Sequence, residues 1–163
     1  MAKITYGKDI APISKESTGV LSHILDACGI PSAVISSTKR TPGELARIMF
    51  DNLVKYGIEA QKALYGPVGD LVIDVYVTCT KAGLIPAQVK QLMQEKIEAL
   101  GPGNVSRHCS DDPTLDVFDV APSSIPENKR TIFEEHIKDC PLVQKFIPPP
   151  LDPGYHIQMR KGA

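Results

Sequence analysis

The sequence of 163 residues contains no tryptophan, and its four cysteines are widely spaced. Cys28, Cys79, Cys109 and Cys140 fit neither the close pairs of a structural zinc site nor the dense pattern of a disulfide-bonded domain. We therefore expect free thiols, most of them buried as small apolar side chains. No apolar run approaches the roughly 20 residues that cross a bilayer, so no membrane span is expected.

An excess of charge of either sign is also missing, since the formal net charge is -1 at pH 7. Domains that bind nucleic acid or anionic membranes usually carry a basic surface, and this composition indicates none. The first residues, MAKITYGKDIAPISKE, lack the apolar centre of a secretory signal. If the protein acts outside the cytoplasm, we expect another route to deliver it.

What the sequence does contain is typical of a globular domain. Hydrophobic residues make up 42% and charged residues 23% of the chain. Its length suits one domain with a substantial core. We interpret residues 1–13 as a loose N-terminal arm and residues 14–163 as a single domain.

Helical patterns dominate the first half of the chain. Apolar residues recur at helical spacing over 14–28, after Pro42, and over 86–100. The run Leu71–Val77 is ambiguous, because its β-branched residues favour a strand whereas the flanking residues resemble helix ends. We predict a helix there, and one short strand over 33–35 in this half.

Short extended segments dominate the second half. Strands are predicted over 104–109, 115–121, 142–147 and 155–159, with one amphipathic helix over 127–138. Helices followed by strands indicate an α+β fold, in contrast to a repeating βαβ pattern. We predict a helical N-terminal half packed on a small antiparallel sheet.

Two histidines and an aspartate in these strands could hold a metal ion. Side chains alternate between the faces of a strand, so Asp116 and Asp119 should point in opposite directions. Asp119 lies between Phe118 and Val120, as expected for a carboxylate directed into a cleft from a buried strand. The predicted ligands are therefore His108, Asp119 and His156. A simpler interpretation is a surface His108 and a strand histidine bonded to a backbone carbonyl.

This residue set is typical of catalytic zinc. Three protein ligands leave one position open for water, and zinc lowers the pKa of that water to roughly 7. A carboxylate must then accept the proton and pass it to the leaving amine. Asp152, four residues before His156, is one candidate, and Glu127, Glu134 and Glu135 are the others.

Several motifs resemble the zinc peptidase family that includes D-Ala-D-Ala carboxypeptidases, vancomycin-resistance dipeptidases and phage L-alanyl-D-glutamate endolysins. The family has Ser-x-His, then an aspartate between apolar residues, then a histidine near the end of the domain. The matching segments here are Val105-Ser106-Arg107-His108, Val117-Phe118-Asp119-Val120-Ala121-Pro122 and Gly154-Tyr155-His156-Ile157. An upstream segment resembles the Ser-x-x-Arg segment of the family; it is Ile35-Ser36-Ser37-Thr38-Lys39-Arg40-Thr41-Pro42.

The resemblance covers roughly residues 15–160 and implies a hedgehog- or DD-peptidase-like fold that carries one Zn²⁺. It implies His108, Asp119 and His156 as metal ligands, and Arg40 as the residue that binds the substrate carboxylate or the developing oxyanion. A planar guanidinium suits that role because it binds carboxylates in a bidentate way. Ser106 is expected to hydrogen-bond near the site.

The sequence departs from the family pattern in the spacing of the aspartate, in the position of the acid, and in lacking both the glycine usual after the first histidine and any tryptophan. Asp119 lies further from His108 than usual, which we interpret as an inserted loop, with Asp116 or Asp112 as alternative ligands. Pro153 stands where the family usually has its acid, and Asp152 comes one residue earlier. Asp152 is therefore the provisional general base.

The resemblance implies zinc-dependent hydrolysis of an amide bond in peptidoglycan stem peptides, by a carboxypeptidase or an endopeptidase. The alternative is a non-catalytic, zinc-containing module that binds cell wall, or a phage structural component with the same fold. Without a secretory signal, we expect the protein to reach the cell wall after lysis or by export. An export machinery or an immunity protein would then be its partner.

Overall fold

The structure is a computed structural model that describes residues 1–106, 108–109 and 112–161. The chain divides into two compact units. The first comprises Met1–Lys39 and Asp112–Ala163, and we call it the sheet unit. The second, the helical unit, comprises Arg40–Asp111.

The sheet unit contains five strands in the order β1-β2-β3-β5-β4. They are β1 (Lys3–Tyr6), β2 (Ser32–Thr38), β3 (Leu115–Val120), β4 (Val143–Ile147) and β5 (Tyr155–Arg160). β1 pairs with β2 in parallel and all other pairs are antiparallel. The prediction of a wholly antiparallel sheet is therefore wrong at one edge. That edge strand lies within residues 1–13, which sequence patterns indicated as a loose arm.

Helices α1 (Lys15–Ala27) and α7 (Arg130–Asp139) pack on one face of this sheet. α1 begins where predicted, because the Ser14 hydroxyl accepts a hydrogen bond from the amide of Ser17 at 3.2 Å. α7 follows a 3-10 turn over Glu127–Lys129. The core of the unit combines the apolar face of the sheet with the two helices. Its members include Leu21, Leu25, Ile35, Phe118, Ile125, Phe133 and Ile157.

Strand alternation divides the central strands β3 and β5 into two faces. Phe118 pairs with Ile157, and both belong to the core beneath the helices. The next pair in the register is Asp119 with His156, so these two side chains lie on the other face. The polar pair Asp119 and His156 thus lies on the face of the sheet opposite to the hydrophobic core.

The helical unit contains five helices around its own core. They are α2 (Pro42–Tyr56), α3 (Ile58–Leu64), α4 (Pro67–Lys81), α5 (Pro86–Leu100) and α6 (Pro102–Val105). α2, α4 and α5 supply most of the buried residues: Leu45, Met49, Leu53, Val72, Ile73, Val89, Met93 and Ile97. Each of these three helices has proline in its first turn, where the missing amide hydrogen costs nothing.

Within the described residues, seven α-helices and a five-stranded mixed sheet confirm the α+β class. The helix predicted over Leu71–Val77 is confirmed as part of α4. The extended segment predicted over 104–109 is wrong at its start, because Pro102 begins the short helix α6. Arg107 of that segment and Ser110-Asp111 of the predicted inserted loop lie outside the described residues. None of the described helices has the length and apolar character needed to cross a membrane.

Candidate metal centre

The sheet unit brings together two of the predicted metal ligands. Asp119 on β3 lies directly opposite His156 on β5, and Oδ1 of the aspartate is 3.0 Å from Nδ1 of the histidine. His156 is 0% exposed and Asp119 is 8% exposed. A buried carboxylate against a buried imidazole is costly unless the two groups are bonded to each other or hold a cation.

The distance between these two atoms is close to that expected of neighbouring ligands. Zinc binds imidazole nitrogen and carboxylate oxygen at about 2.0–2.2 Å, so tetrahedral ligand atoms lie roughly 3.3 Å apart. The 3.0 Å between Oδ1 of Asp119 and Nδ1 of His156 needs little adjustment to meet that value.

Gly154 makes room for the Asp119 carboxylate. A Cβ atom at position 154 would lie 3.3 Å from Cβ of Asp119 and 3.5 Å from its Oδ2. The 3.3 Å contact is tight enough that Asp119 would have to give by a few tenths of an ångström. The turn before β5 therefore fixes the position of Asp119 by close approach of its backbone.

Asp152 lies in the same turn and is buried at 7% exposure. Its Oδ1 accepts a hydrogen bond from the amide of Gly154 at 3.3 Å. Its own amide donates to the carbonyl of Pro148 at 3.4 Å. The turn that approaches Asp119 through Gly154 thus carries the acid proposed as the general base.

The two alternative ligands have other partners. Asp116 points to the opposite face of β3, where its Oδ2 accepts from the hydroxyl and the amide of Ser14 at 2.5 and 3.2 Å. Asp112 is exposed, and Thr114 donates to its Oδ1 from both hydroxyl and amide. These hydrogen bonds, from the hydroxyl first, hold the pKa of Asp112 below its usual value. Both aspartates stabilise local structure.

The remaining candidates for the general base lie elsewhere in the sheet unit. Glu134 and Glu135 are on α7, whose Phe133 and Ile137 pack on the face opposite to Asp119. Glu127 is exposed in the 3-10 turn that precedes this helix. Of the four candidates, Asp152 alone is buried in the turn next to Asp119.

In the helical unit, Arg40 and His108 are neighbours. The amide of Arg40 donates to the carbonyl of His108 at 2.6 Å, and Arg40 forms a parallel β-bridge with Cys109. The His108 backbone is held a second time, because its amide donates to the Ser106 hydroxyl at 3.3 Å. The Ser106 hydroxyl therefore contacts the backbone of a predicted ligand, His108. Arg40, predicted to bind substrate, and His108, predicted to bind metal, are therefore joined by a backbone hydrogen bond.

Tyr65 is a residue near Arg40 that the sequence patterns did not indicate. Burial raises the pKa of Tyr65, and the positive charge of Arg40 acts in the opposite direction. The phenol packs closely over Gly69 of α4, where a Cβ would lie 2.6 Å from Cβ of Tyr65. Its hydroxyl therefore remains a neutral hydrogen-bond donor at neutral pH.

Within the described part of the sheet unit, Asp119 and His156 offer a carboxylate oxygen and an imidazole nitrogen to a metal ion, and His108 of the helical unit is the second imidazole that the sequence predicts as a ligand. Two imidazoles and one carboxylate suit zinc, which prefers nitrogen and oxygen donors of this kind and keeps an open position in catalytic sites. The donor chemistry and the Asp119–His156 distance therefore both fit this metal.

No family model, curated protein or solved structure matches this chain. The case for a function therefore rests on its own residues and on the motifs described above.

Proposed function

We propose that this protein is a zinc-dependent peptidase that hydrolyses an amide bond in the peptide stems of bacterial peptidoglycan. The observation that carries the proposal is the buried pair of Asp119 and His156, whose ligand atoms face each other at 3.0 Å. A carboxylate and an imidazole buried side by side in a sheet add little to the stability of a fold by themselves. Their burial is expected where they serve a metal.

His108 is proposed as the third ligand. It occupies the position of the first histidine in the family motif. The hydrogen bonds to its carbonyl and from its amide fix the backbone from which the imidazole extends. Half-burial of His108 agrees with a ligand at the edge of a substrate cleft.

When bound, zinc supplies Lewis acidity, which polarises a carbonyl oxygen and makes hydroxide available at neutral pH. Asp152 is proposed to accept the proton of the attacking water at its carboxylate and to donate it to the leaving amine. The hydrogen bond from the Gly154 amide orients this carboxylate.

Arg40 is proposed to hold the substrate. A stem peptide presents carboxylates, and the guanidinium can pair with one of them through two parallel hydrogen bonds. The same group can instead stabilise the negative charge that develops on the carbonyl oxygen. The neutral hydroxyl of Tyr65, which lies within electrostatic range of Arg40, is a further donor on the same unit.

The test is digestion of purified peptidoglycan followed by mass spectrometry of the fragments. We expect zinc-loaded protein to release stem fragments that have gained one water, and chelator to abolish this release reversibly. His156→Ala should be inactive, whereas His23→Ala, which replaces an exposed histidine on α1, should be active. Intact stems after digestion with zinc-loaded protein would contradict the proposed activity.

A non-catalytic zinc module that binds cell wall is the second candidate. The observation in its favour is Pro153 at the position of the family's usual acid, with the Asp152 carboxylate engaged by the Gly154 amide. This candidate predicts one bound zinc and sedimentation with peptidoglycan, but no released fragments. The same digestion therefore separates the two functions.

A further inference from the structure

Gln158 contacts the one nitrogen of His156 that does not face Asp119. The side-chain amide of Gln158 lies 3.2 Å from Nε2 of the ring, whereas Nδ1 faces the carboxylate. The two residues are separated by one position on β5, so both side chains lie on the same face of the sheet. His156 is therefore held from both sides by polar groups.

The cross-strand neighbours of Gln158 direct its amide to the histidine. Val117 on β3 is fully buried and has no side-chain hydrogen-bonding group. Lys145 on β4 is exposed. The side-chain amide of Gln158 thus lies next to one polar group, the imidazole of His156.

A neutral imidazole has one nitrogen that donates and one that accepts. The Gln158 amide nitrogen lies 3.2 Å from Nε2 and can donate to it in the tautomer that carries its hydrogen on Nδ1, facing Asp119. Metal binding through Nδ1 requires the other tautomer, with the hydrogen on Nε2. A ligating histidine usually donates that second N–H to an acceptor, which fixes the ring and its tautomer.

We propose that Gln158 is a positioning residue that stabilises both tautomers of His156. In the tautomer with the hydrogen on Nδ1, its amide nitrogen donates to Nε2. With Nδ1 as a metal ligand, a half-turn of the amide would let its oxygen accept from Nε2–H. The ring keeps a single proton, which moves from Nδ1 to Nε2 by exchange with water. This inference rests on the proposed function, since it assigns Nδ1 of His156 as the ligand atom.

Zinc affinity of two variants tests the proposal. Gln158→Met keeps the length of the side chain and removes both hydrogen bonds, so zinc affinity should fall about 10- to 100-fold. Gln158→Glu supplies a permanent acceptor for Nε2–H and should bind zinc at least as tightly as the natural protein. Gln144→Met, an exposed change on β4, is the matched control and should leave affinity unchanged. Thermal unfolding of each variant verifies the fold.

Nitrogen NMR of the His156 ring provides a readout independent of activity. The natural protein should show Nδ1–H without zinc and Nε2–H with zinc. The role of Gln158 would be overturned if Gln158→Met bound zinc with the affinity of the natural protein. It would also be overturned if Gln158→Glu bound zinc more weakly than Gln158→Met. Either result would leave the zinc site itself intact. Failure of the natural protein to bind zinc would instead refute the proposed function. A metal-free ring with its hydrogen on Nε2 would overturn the tautomer assignment by itself.

Discussion

The amide of Arg40 donates to the carbonyl of His108 at 2.6 Å, which joins the start of the helical unit to its end. The two residues are far apart in sequence, and separate motifs indicated them for substrate binding and metal binding. Because this hydrogen bond joins backbone atoms, replacing the side chain of Arg40 or His108 leaves both of its groups in place.

Replacement of the Arg40 side chain should impair catalysis without loss of metal. We expect Arg40→Ala to lower kcat/KM about 100-fold, or roughly 3 kcal/mol of transition-state stabilisation, because a charged donor to the substrate is lost. Arg40→Lys should recover part of this, since an ammonium cannot form two parallel hydrogen bonds. Arg47→Ala, which removes an exposed arginine paired with Asp51, is the control. Normal kinetics of Arg40→Ala on peptidoglycan would leave Arg40 without a catalytic role.

The two aspartates of β3 should separate metal binding from stability. Asp119→Ala should lose zinc and activity, because it removes a buried ligand. Asp116→Ala should keep zinc but lower the free energy of unfolding by about 1–3 kcal/mol, because the hydroxyl and amide of Ser14 lose their acceptor. Zinc content and denaturant unfolding measure the two effects. The opposite assignment would follow if Asp116→Ala released the metal.

Gly154→Ala should weaken zinc binding through Asp119. The added methyl group would lie 3.3 Å from Cβ of Asp119 and displace its carboxylate, so we expect about tenfold lower zinc affinity. Gly19→Ala is the control, because the methyl group that it adds on α1 has no other atom within 4 Å and alanine favours a helix by about 0.5–1 kcal/mol. Equal zinc affinity of both variants, measured by competition with a chelator, would show that Gly154 does not position Asp119.

Asp152→Asn should abolish turnover and retain the metal. The amide preserves the size of the side chain and its bond from Gly154 but cannot accept the proton of the attacking water. We expect a loss of about 100-fold or more in kcat, the scale of a missing general base. Glu127→Gln, an exposed change, should be fully active. If Glu127→Gln were inactive and Asp152→Asn active, the general base would be Glu127 and not Asp152.

Local patterns predicted the parts of the fold that depend on neighbours in sequence. The helix over Leu71–Val77 could be predicted in spite of its β-branched residues, because the flanking residues resemble helix ends. In the structure the helix starts at Pro67 and buries Val72 and Ile73. Alternation along β3 separated Asp116 from Asp119, and their different partners in the structure follow from that alternation. The helical spacing over 14–28 and after Pro42 agrees with helices that begin after Ser14 and Thr41, whose side chains cap them.

Long-range pairing could not be predicted from such patterns. Lys3–Tyr6 is too short and too polar to identify as a strand until β2 offers its edge. The backbone bond between Arg40 and His108 depends on the helices that separate them in sequence. Gln158 could have been found, since alternation places it on the face of His156, whereas the closeness of Gly154 to Asp119 left no signal in the sequence.

Titration of zinc into metal-free protein, followed by elemental analysis, tests the central claim most directly. We expect one zinc per chain in the natural protein and large losses in His108→Ala and His156→Ala, because two remaining ligands rarely hold the ion. His136→Ala, a half-buried histidine on α7, should bind zinc normally. A natural protein without zinc, or a double variant of His108 and His156 that retains full occupancy, would contradict the account.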